Sequence, residues 1–156
     1  METASLTEIK KELKLLSPHQ LQEIVVRLAK FKKENKELLH YLLFEAFNQQ
    51  EFIRMVKEET DEQFNQMKRV SPYMGKKILR KTLRNIKKYI RFAGSKEVEL
   101  ELLIYFCLKI RGSGLRLHAH KAILSTYLTQ VKRIRQVHSK LHEDLQYDFE
   151  EDIEKL

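Results

Sequence analysis

Apolar residues recur every three or four positions along most of the 156-residue chain, with polar and charged residues between them. This spacing places the apolar side chains on one face of an α-helix, whereas a half-buried strand requires strict alternation. Only four glycines and two prolines interrupt the pattern. The sequence therefore predicts an all-α protein of about six to seven helices, arranged as a compact bundle or as a short stack that resembles an α-solenoid.

Serine followed by proline marks two of the predicted helix starts, at Ser17-Pro18 and at Ser71-Pro72. A serine hydroxyl caps free backbone N–H groups, and proline in the first turn has no N–H to lose. Each pair precedes a Glu-Leu-Leu-x-Tyr sequence, at 37–41 and at 101–105, which suggests a weak duplication. Within one domain, 1–156, we predict an N-terminal helix at 1–16, helical hairpin repeats at 17–69 and 71–111, and a long C-terminal helix at 115–156 with an acidic end.

The segment 72–93 concentrates positive charge on one side of a predicted helix that Gly94 ends. It contains eight cations and no acid, while the other 22 cations of the chain balance 22 acids, so the net charge of +8 is localised. At 100° per residue its apolar residues share the opposite side. We call its eight cations the cationic face: Lys76, Lys77, Arg80, Lys81, Arg84, Lys87, Lys88 and Arg91.

A localised cationic surface predicts contact with a polyanion, and phosphate contacts supply affinity without sequence specificity. The sequence contains no motif that reads the edges of bases in a groove, so we expect a non-specific module for RNA or DNA rather than for a membrane. Tyr73 and Phe92 border the cationic face, where an aromatic ring can stack on a base. The predicted phosphate contacts are Lys77, Arg80, Lys81, Arg84, Lys88 and Arg91.

The alternative is a protein–protein scaffold or a homodimer whose basic face is neutralised by an acidic helix. Segment 141–156 carries seven acids and one lysine, and its apolar residues recur at helical spacing, so it can dock on the cationic face of the same chain or of a partner. The acidic segment 57–69 offers a second internal neutraliser. A seam of coiled-coil spacing within 115–147 predicts a dimer contact: Leu124, Tyr127, Val131, Ile134, His138, Leu141 and Leu145.

Candidate chemistry is sparse. Cys107 is the single cysteine and lies in an apolar stretch, which favours a small core residue over a nucleophile and excludes a disulfide framework. His138 and His142 lie four apart, but no HExxH motif accompanies them, and a packed histidine is the commoner outcome. We therefore expect no catalytic residues, no metal site and no cofactor. Without a secretory signal or a long apolar run, the sequence predicts a soluble, cytoplasmic protein.

Overall fold

The structure is a computed structural model that describes residues 2–156. These residues form eight α-helices and no strand, so the predicted all-α class is confirmed with a slightly higher helix count. None of these helices combines the length and the apolar character that a membrane crossing requires. The elements are α1 (Leu6–Leu13), α2 (Pro18–Phe31), α3 (Lys33–His40), a π-helical turn (Tyr41–Glu45), α4 (Gln49–Met67), α5 (Pro72–Ala93), α6 (Lys96–Gly112), a 3₁₀ turn (Leu117–Ala119), α7 (Lys121–His138) and α8 (Glu143–Glu154).

The chain divides into two compact units, the first ending at Phe44 and the second comprising Glu45–Leu156. The sequence predicts a single domain, and the boundary between the units lies inside the predicted repeat 17–69. Among residues 2–44 only Tyr41 is buried, whereas every other buried apolar side chain belongs to the C-terminal unit. The predicted repeat 71–111, in contrast, corresponds to the adjacent helices α5 and α6.

The N-terminal unit is built from locally encoded helices. Ser5 accepts a hydrogen bond from the Glu8 backbone N–H at 3.3 Å, and the Glu8 carboxylate accepts one from the Ser5 N–H at 2.7 Å, which completes a capping box. Helices α2 and α3 pack together, and the Asn35 side-chain amide donates to the Leu28 carbonyl at 2.8 Å. Lys32, in an extended conformation, separates the two helices.

Helix α6 is the centre of the C-terminal unit and packs against α4, α5 and α7. Ser95 caps its first turn, and the alternating sequence at 98–102 is helical because no strand is present among residues 2–156 to pair with it. Its apolar side chains are buried on almost every side. Phe64 of α4 meets Phe106 of α6 edge to face at a ring-centroid distance of 6.0 Å.

The prediction of one helix over 115–156 is wrong, because the chain leaves the helical conformation twice in this range. His120 has φ −126° and ψ 84°, and the 3₁₀ turn precedes it. His142 is extended, and its imidazole Nδ1 accepts a hydrogen bond from the Asp144 N–H at 3.4 Å. Glu143 and Asp144 in the first turn favour a new helix start through the helix dipole, so α8 begins separately from α7.

The predicted dimer seam of 115–147 does not form a free stripe. Tyr127 and Ile134 are buried together with Ile123 and Val137 on the side of α7, which packs against α6. The seam therefore serves the core of the C-terminal unit, because α6 needs apolar cover on this side. Since α7 ends at His138, the remaining seam positions 141 and 145 lie beyond the helix break.

The left-handed residue between α5 and α6 gives a test of this local architecture. Gly94 has φ 61° and its N–H donates to the Ile90 carbonyl, a conformation that costs a residue with a Cβ atom about 1 kcal/mol. We expect Gly94→Ala to lower the free energy of unfolding by about that amount in urea denaturation followed by circular dichroism.

Gly112→Ala is the matched control. A Cβ at Gly112, the last residue of α6, meets no atom within 4 Å, and its φ is not positive. Alanine there is therefore expected to leave the free energy of unfolding unchanged or to raise it by up to about 1 kcal/mol. Equal losses in the two variants would contradict the left-handed turn at position 94.

Candidate functional site

Burial of one side of α5 determines where its charges point. Leu79, Leu83 and Ile86 are buried, and the buried Thr82 hydroxyl donates to the Ile78 carbonyl at 2.9 Å. Gly75 permits close packing against α4, because a Cβ at this position would lie 3.1 Å from the Met67 side chain. The opposite side of α5 is thereby directed to solvent.

The cationic face is exposed along most of its length. Lys76 and Lys88 are half-buried, and Lys88 Nζ lies 5.0 Å from the centroid of the Tyr89 ring. Five of the six predicted phosphate contacts are therefore exposed, and Lys88 is the exception. The exposed members of the face are Lys77, Arg80, Lys81, Arg84, Lys87 and Arg91.

Seven of the eight cations on the cationic face are not neutralised by an ion pair within the C-terminal unit. Apart from Lys88, none of its members forms an ion pair with a carboxylate of the C-terminal unit. Lys77 instead lies 4.6 Å from the centroid of the Tyr73 ring, an attraction typical of a cation over an aromatic face. The charges therefore remain available to a ligand from solution.

Two acids of α4, Glu59 and Asp61, contact groups other than the cations of α5. Glu59 accepts hydrogen bonds from the Asn85 amide at 3.2 Å and from the Tyr89 hydroxyl at 2.8 Å, so its α5 partners are neutral. Asp61 accepts from the Tyr105 hydroxyl at 2.6 Å and pairs with Lys109 of α6 at 2.7 Å. The segment 57–69 thus stabilises the bundle through pairs that leave the seven cations unneutralised.

The acids of α8 also form no ion pair with the cations of α5. Helix α8 packs against α7, and Arg111 of α6 donates to the Lys155 and Leu156 carbonyls at 2.8 and 2.7 Å. Its acids Glu151 and Asp152 pair with Lys155 at 3.1 and 3.0 Å. The internal clamp predicted for 141–156 is therefore not formed by ion pairs within residues 2–156.

A groove of about 640 Å³ opens beside the C-terminal end of the cationic face, between α5, α6 and α7. Lys87 and Arg91 line one side and Lys132 of α7 lines the other, while Ile90 and Leu103 supply apolar lining. Its volume is within the range of pockets that hold small organic ligands. The groove thus brings together positive charge from two helices, although Arg91 and Lys132 are 41 residues apart in the sequence.

Arg133 lies in the same groove but is held by Glu99. Its Nε and Nη2 atoms donate to the two Glu99 carboxylate oxygens at 2.5 and 3.0 Å. This bidentate pair is geometrically specific and orients both side chains. Because Arg133 is already neutralised, Lys87, Arg91 and Lys132 are the groove cations that a phosphate can engage.

Gln130 contributes an unsatisfied acceptor to the groove lining. The residue is 2% exposed, and its amide nitrogen donates to the Thr126 carbonyl at 3.2 Å, whereas Oε1 has no partner among residues 2–156. A buried acceptor without a hydrogen bond costs about 1–3 kcal/mol. A water molecule or a ligand that donates to Oε1 removes this cost.

Sequence reasoning missed the contribution of α7 to this surface. The cluster Lys132-Arg133-x-Arg135 is a visible signal, but its cations alternate with the buried positions 130, 134 and 137, so it resembles any amphipathic helix.

Of the two aromatics predicted to stack on bases, Tyr73 is 66% exposed. Phe92 is half-buried and packs edge to face on Tyr89 at a centroid distance of 6.2 Å, so it is less accessible.

The surroundings of the remaining candidate residues, Cys107, His138 and His142, favour structural roles over chemical ones. Burial raises the pKa of the Cys107 thiol to about 12, which makes a reactive thiolate unfavourable at neutral pH. His138 Nε2 lies 2.9 Å from the Gln146 carbonyl, and His142 lies beyond the helix break, so the two rings do not share a helix face. Among residues 2–156 no group of three histidine, cysteine or carboxylate side chains is placed to hold a metal ion.

The Asp61 carboxylate gives a prediction for stability against pH. Burial tends to raise its pKa, but the hydrogen bonds from Lys109 and Tyr105 outweigh burial and lower the pKa below its usual value. A lowered pKa stabilises the folded state above the unfolded-state pKa of about 3.9, and this stabilisation is lost as the pH falls through the folded-state pKa. We expect Asp61→Asn to be less stable than the wild type at pH 7, by up to about 1 kcal/mol since the pair is partly exposed.

Thermal unfolding between pH 7 and pH 2 measures the effect. The difference in melting temperature between the wild type and Asp61→Asn should shrink as the solution becomes more acidic. Glu62→Gln removes a neighbouring exposed carboxylate that has no ion pair in the C-terminal unit, and it should change the curve little. A constant difference at every pH would show that Asp61 acts through packing rather than charge.

The comparisons with known proteins add no functional assignment. No protein-family model matches the chain, and no characterised protein or solved structure is significantly similar to it. The site must therefore be interpreted from its own chemistry.

Proposed function

We propose that this protein is a non-enzymatic helical binding module whose cationic face engages nucleic acid without sequence specificity. The observation that carries the proposal is the set of exposed cations on α5 for which the C-terminal unit provides no ion-pairing carboxylate. Cations that are not neutralised internally can displace the counterions condensed on a phosphate backbone, and the release of those counterions favours association.

The dimensions of α5 are suited to a phosphate backbone. Its 22 residues extend roughly 33 Å at about 1.5 Å per residue, and its cations recur over roughly 22 Å of this length, from Lys76 to Arg91. Lys132 widens the positive surface at the groove end, and Tyr73 offers a stacking surface at the other end. Such contacts position a nucleic acid through its backbone, which carries no sequence information directly.

The cationic face also fits an acidic protein surface, which was the alternative partner. The two partners differ in charge density, because nucleic acid carries a regular array of phosphates and binds with a steep salt dependence. A membrane is less suited, because the apolar side of α5 is buried in the core and is not free to insert.

The proposal predicts loss of binding on charge reversal. We expect a fluorescently labelled single-stranded RNA of random sequence to bind in an anisotropy titration at 50 mM salt, and to bind much more weakly at 200 mM salt. Lys81→Glu combined with Arg84→Glu should abolish binding at both salt concentrations. A matched DNA duplex tests whether the surface distinguishes the two nucleic acids.

Lys10→Glu combined with Lys11→Glu is the matched control. These exposed lysines of α1 give the same change in net charge within the N-terminal unit, so a purely global electrostatic effect weakens binding equally in both double variants. We expect the control to keep most of the affinity. Absence of RNA and DNA binding by the wild type at 50 mM salt would falsify the proposal and leave an acidic protein as the partner to test.

A further inference from the structure

We infer that the groove between α5, α6 and α7 binds the phosphomonoester of a nucleotide, at the end of a nucleic-acid strand or in a free mononucleotide. The strand end rests on the function proposed for the cationic face, whereas the free nucleotide does not depend on it. The inference comes from three features of the groove lining: unpaired cations on two helices, a neutralised carboxylate, and a buried acceptor without a partner.

The cations of the groove lie on two of its sides. Lys87 and Arg91 are four residues apart and thus project from the same side of α5, and Lys132 lines the groove from α7. All three are exposed, and none of them forms an ion pair within the C-terminal unit. A phosphate that enters from solvent can therefore contact positive charge from two directions.

This charge fits a phosphomonoester better than a phosphodiester. A terminal phosphate carries a charge of about −1.5 to −2 at neutral pH, whereas each backbone diester carries one negative charge. Glu99 is the one carboxylate among the lining residues that the structure describes, and Arg133 neutralises it through both oxygens. No free acid of the lining thus opposes the three unpaired cations, and a dianion neutralises more of their charge than a diester does.

Gln130 provides the contact that favours a nucleotide over phosphate alone. Its amide nitrogen donates to the Thr126 carbonyl of its own helix, so Oε1 is the amide atom left for a ligand. A nucleotide carries ribose hydroxyl and base N–H donors in addition to its phosphate, so it can engage the cations and Oε1 at once. Ile90 and Leu103 offer apolar contacts to the sugar and base, and about 640 Å³ is ample for one nucleotide.

The position of the groove connects it to the cationic face. Lys87 and Arg91 belong to both, so a strand that lies along α5 reaches the groove without leaving its row of cations. This row ends at Arg91, three residues before the cap at Gly94. The groove is therefore where a strand bound along α5 can end with its terminal phosphate still held by cations.

Oligonucleotides with different ends test the strand end. We expect an internally labelled single-stranded RNA with a 5′ or a 3′ phosphate to bind several-fold more tightly at 50 mM salt than the same RNA with hydroxyl ends. Lys132→Gln should remove this preference and leave the affinity of the hydroxyl-ended RNA nearly unchanged, because the cations of α5 remain. Lys121→Gln is the matched control, since it removes an exposed lysine of α7 that does not line the groove.

A free mononucleotide tests the groove apart from the cationic face. Adenosine 5′-monophosphate should shift the backbone amide NMR signals of Arg91 and Lys132, whereas adenosine should not. Gln130→Met keeps the side-chain length but removes Oε1, so it should weaken binding of this nucleotide several-fold. Its melting temperature should stay equal or rise, because the variant loses an acceptor that has no partner. A purely structural role of Gln130 predicts a lower melting temperature instead.

The two experiments separate this inference from the proposed function. A preference for a terminal phosphate that Lys132→Gln removes assigns the groove to a strand end. Nucleotide shifts that Lys132→Gln removes, without RNA binding, assign it to a free nucleotide while the proposed function fails. RNA binding without a terminal-phosphate preference and without nucleotide shifts, or a preference that Lys132→Gln leaves intact, overturns the inference and leaves the proposed function standing.

Discussion

The burial of α6 is the constraint on which the C-terminal unit depends. A helix that is apolar on nearly every side must be covered by neighbours, and α4, α5 and α7 supply that cover. Each of these helices contributes one apolar side and must therefore turn its polar side outward. The outward direction of the cationic face is thus a consequence of core packing, and the face needs no dedicated support beyond the helix that carries it.

The distribution of carboxylates explains why this outward charge is not neutralised. Asp61 pairs with Lys109 and Glu101 pairs with Lys57, so the acids of α4 and α6 join those two helices to each other. Glu59 reaches α5, but it meets the neutral side chains of Asn85 and Tyr89. Partly exposed pairs of this kind contribute about 1 kcal/mol or less each, yet they occupy Asp61 and Glu101 without engaging a cation of α5.

Local signals in the sequence predicted much of this structure. The caps at Ser17, Ser71 and Gly94 depend only on residues within one turn, and the amphipathic pattern of α5 is periodic enough to assign its buried and exposed sides. The break at His142 was missed because the seam spacing continues through it, while the cap that starts α8 is a histidine, an uncommon capping residue.

Features that require distant residues were not predictable from the sequence. The groove cations Arg91 and Lys132 meet only because α5 and α7 both pack on α6, and Gln130 lies in the groove lining only in that packing. The boundary after Phe44 was equally hidden, since the segment 37–47 is apolar on nearly every side. An all-round apolar helix normally indicates burial, but Leu42, Leu43 and Phe44 are exposed.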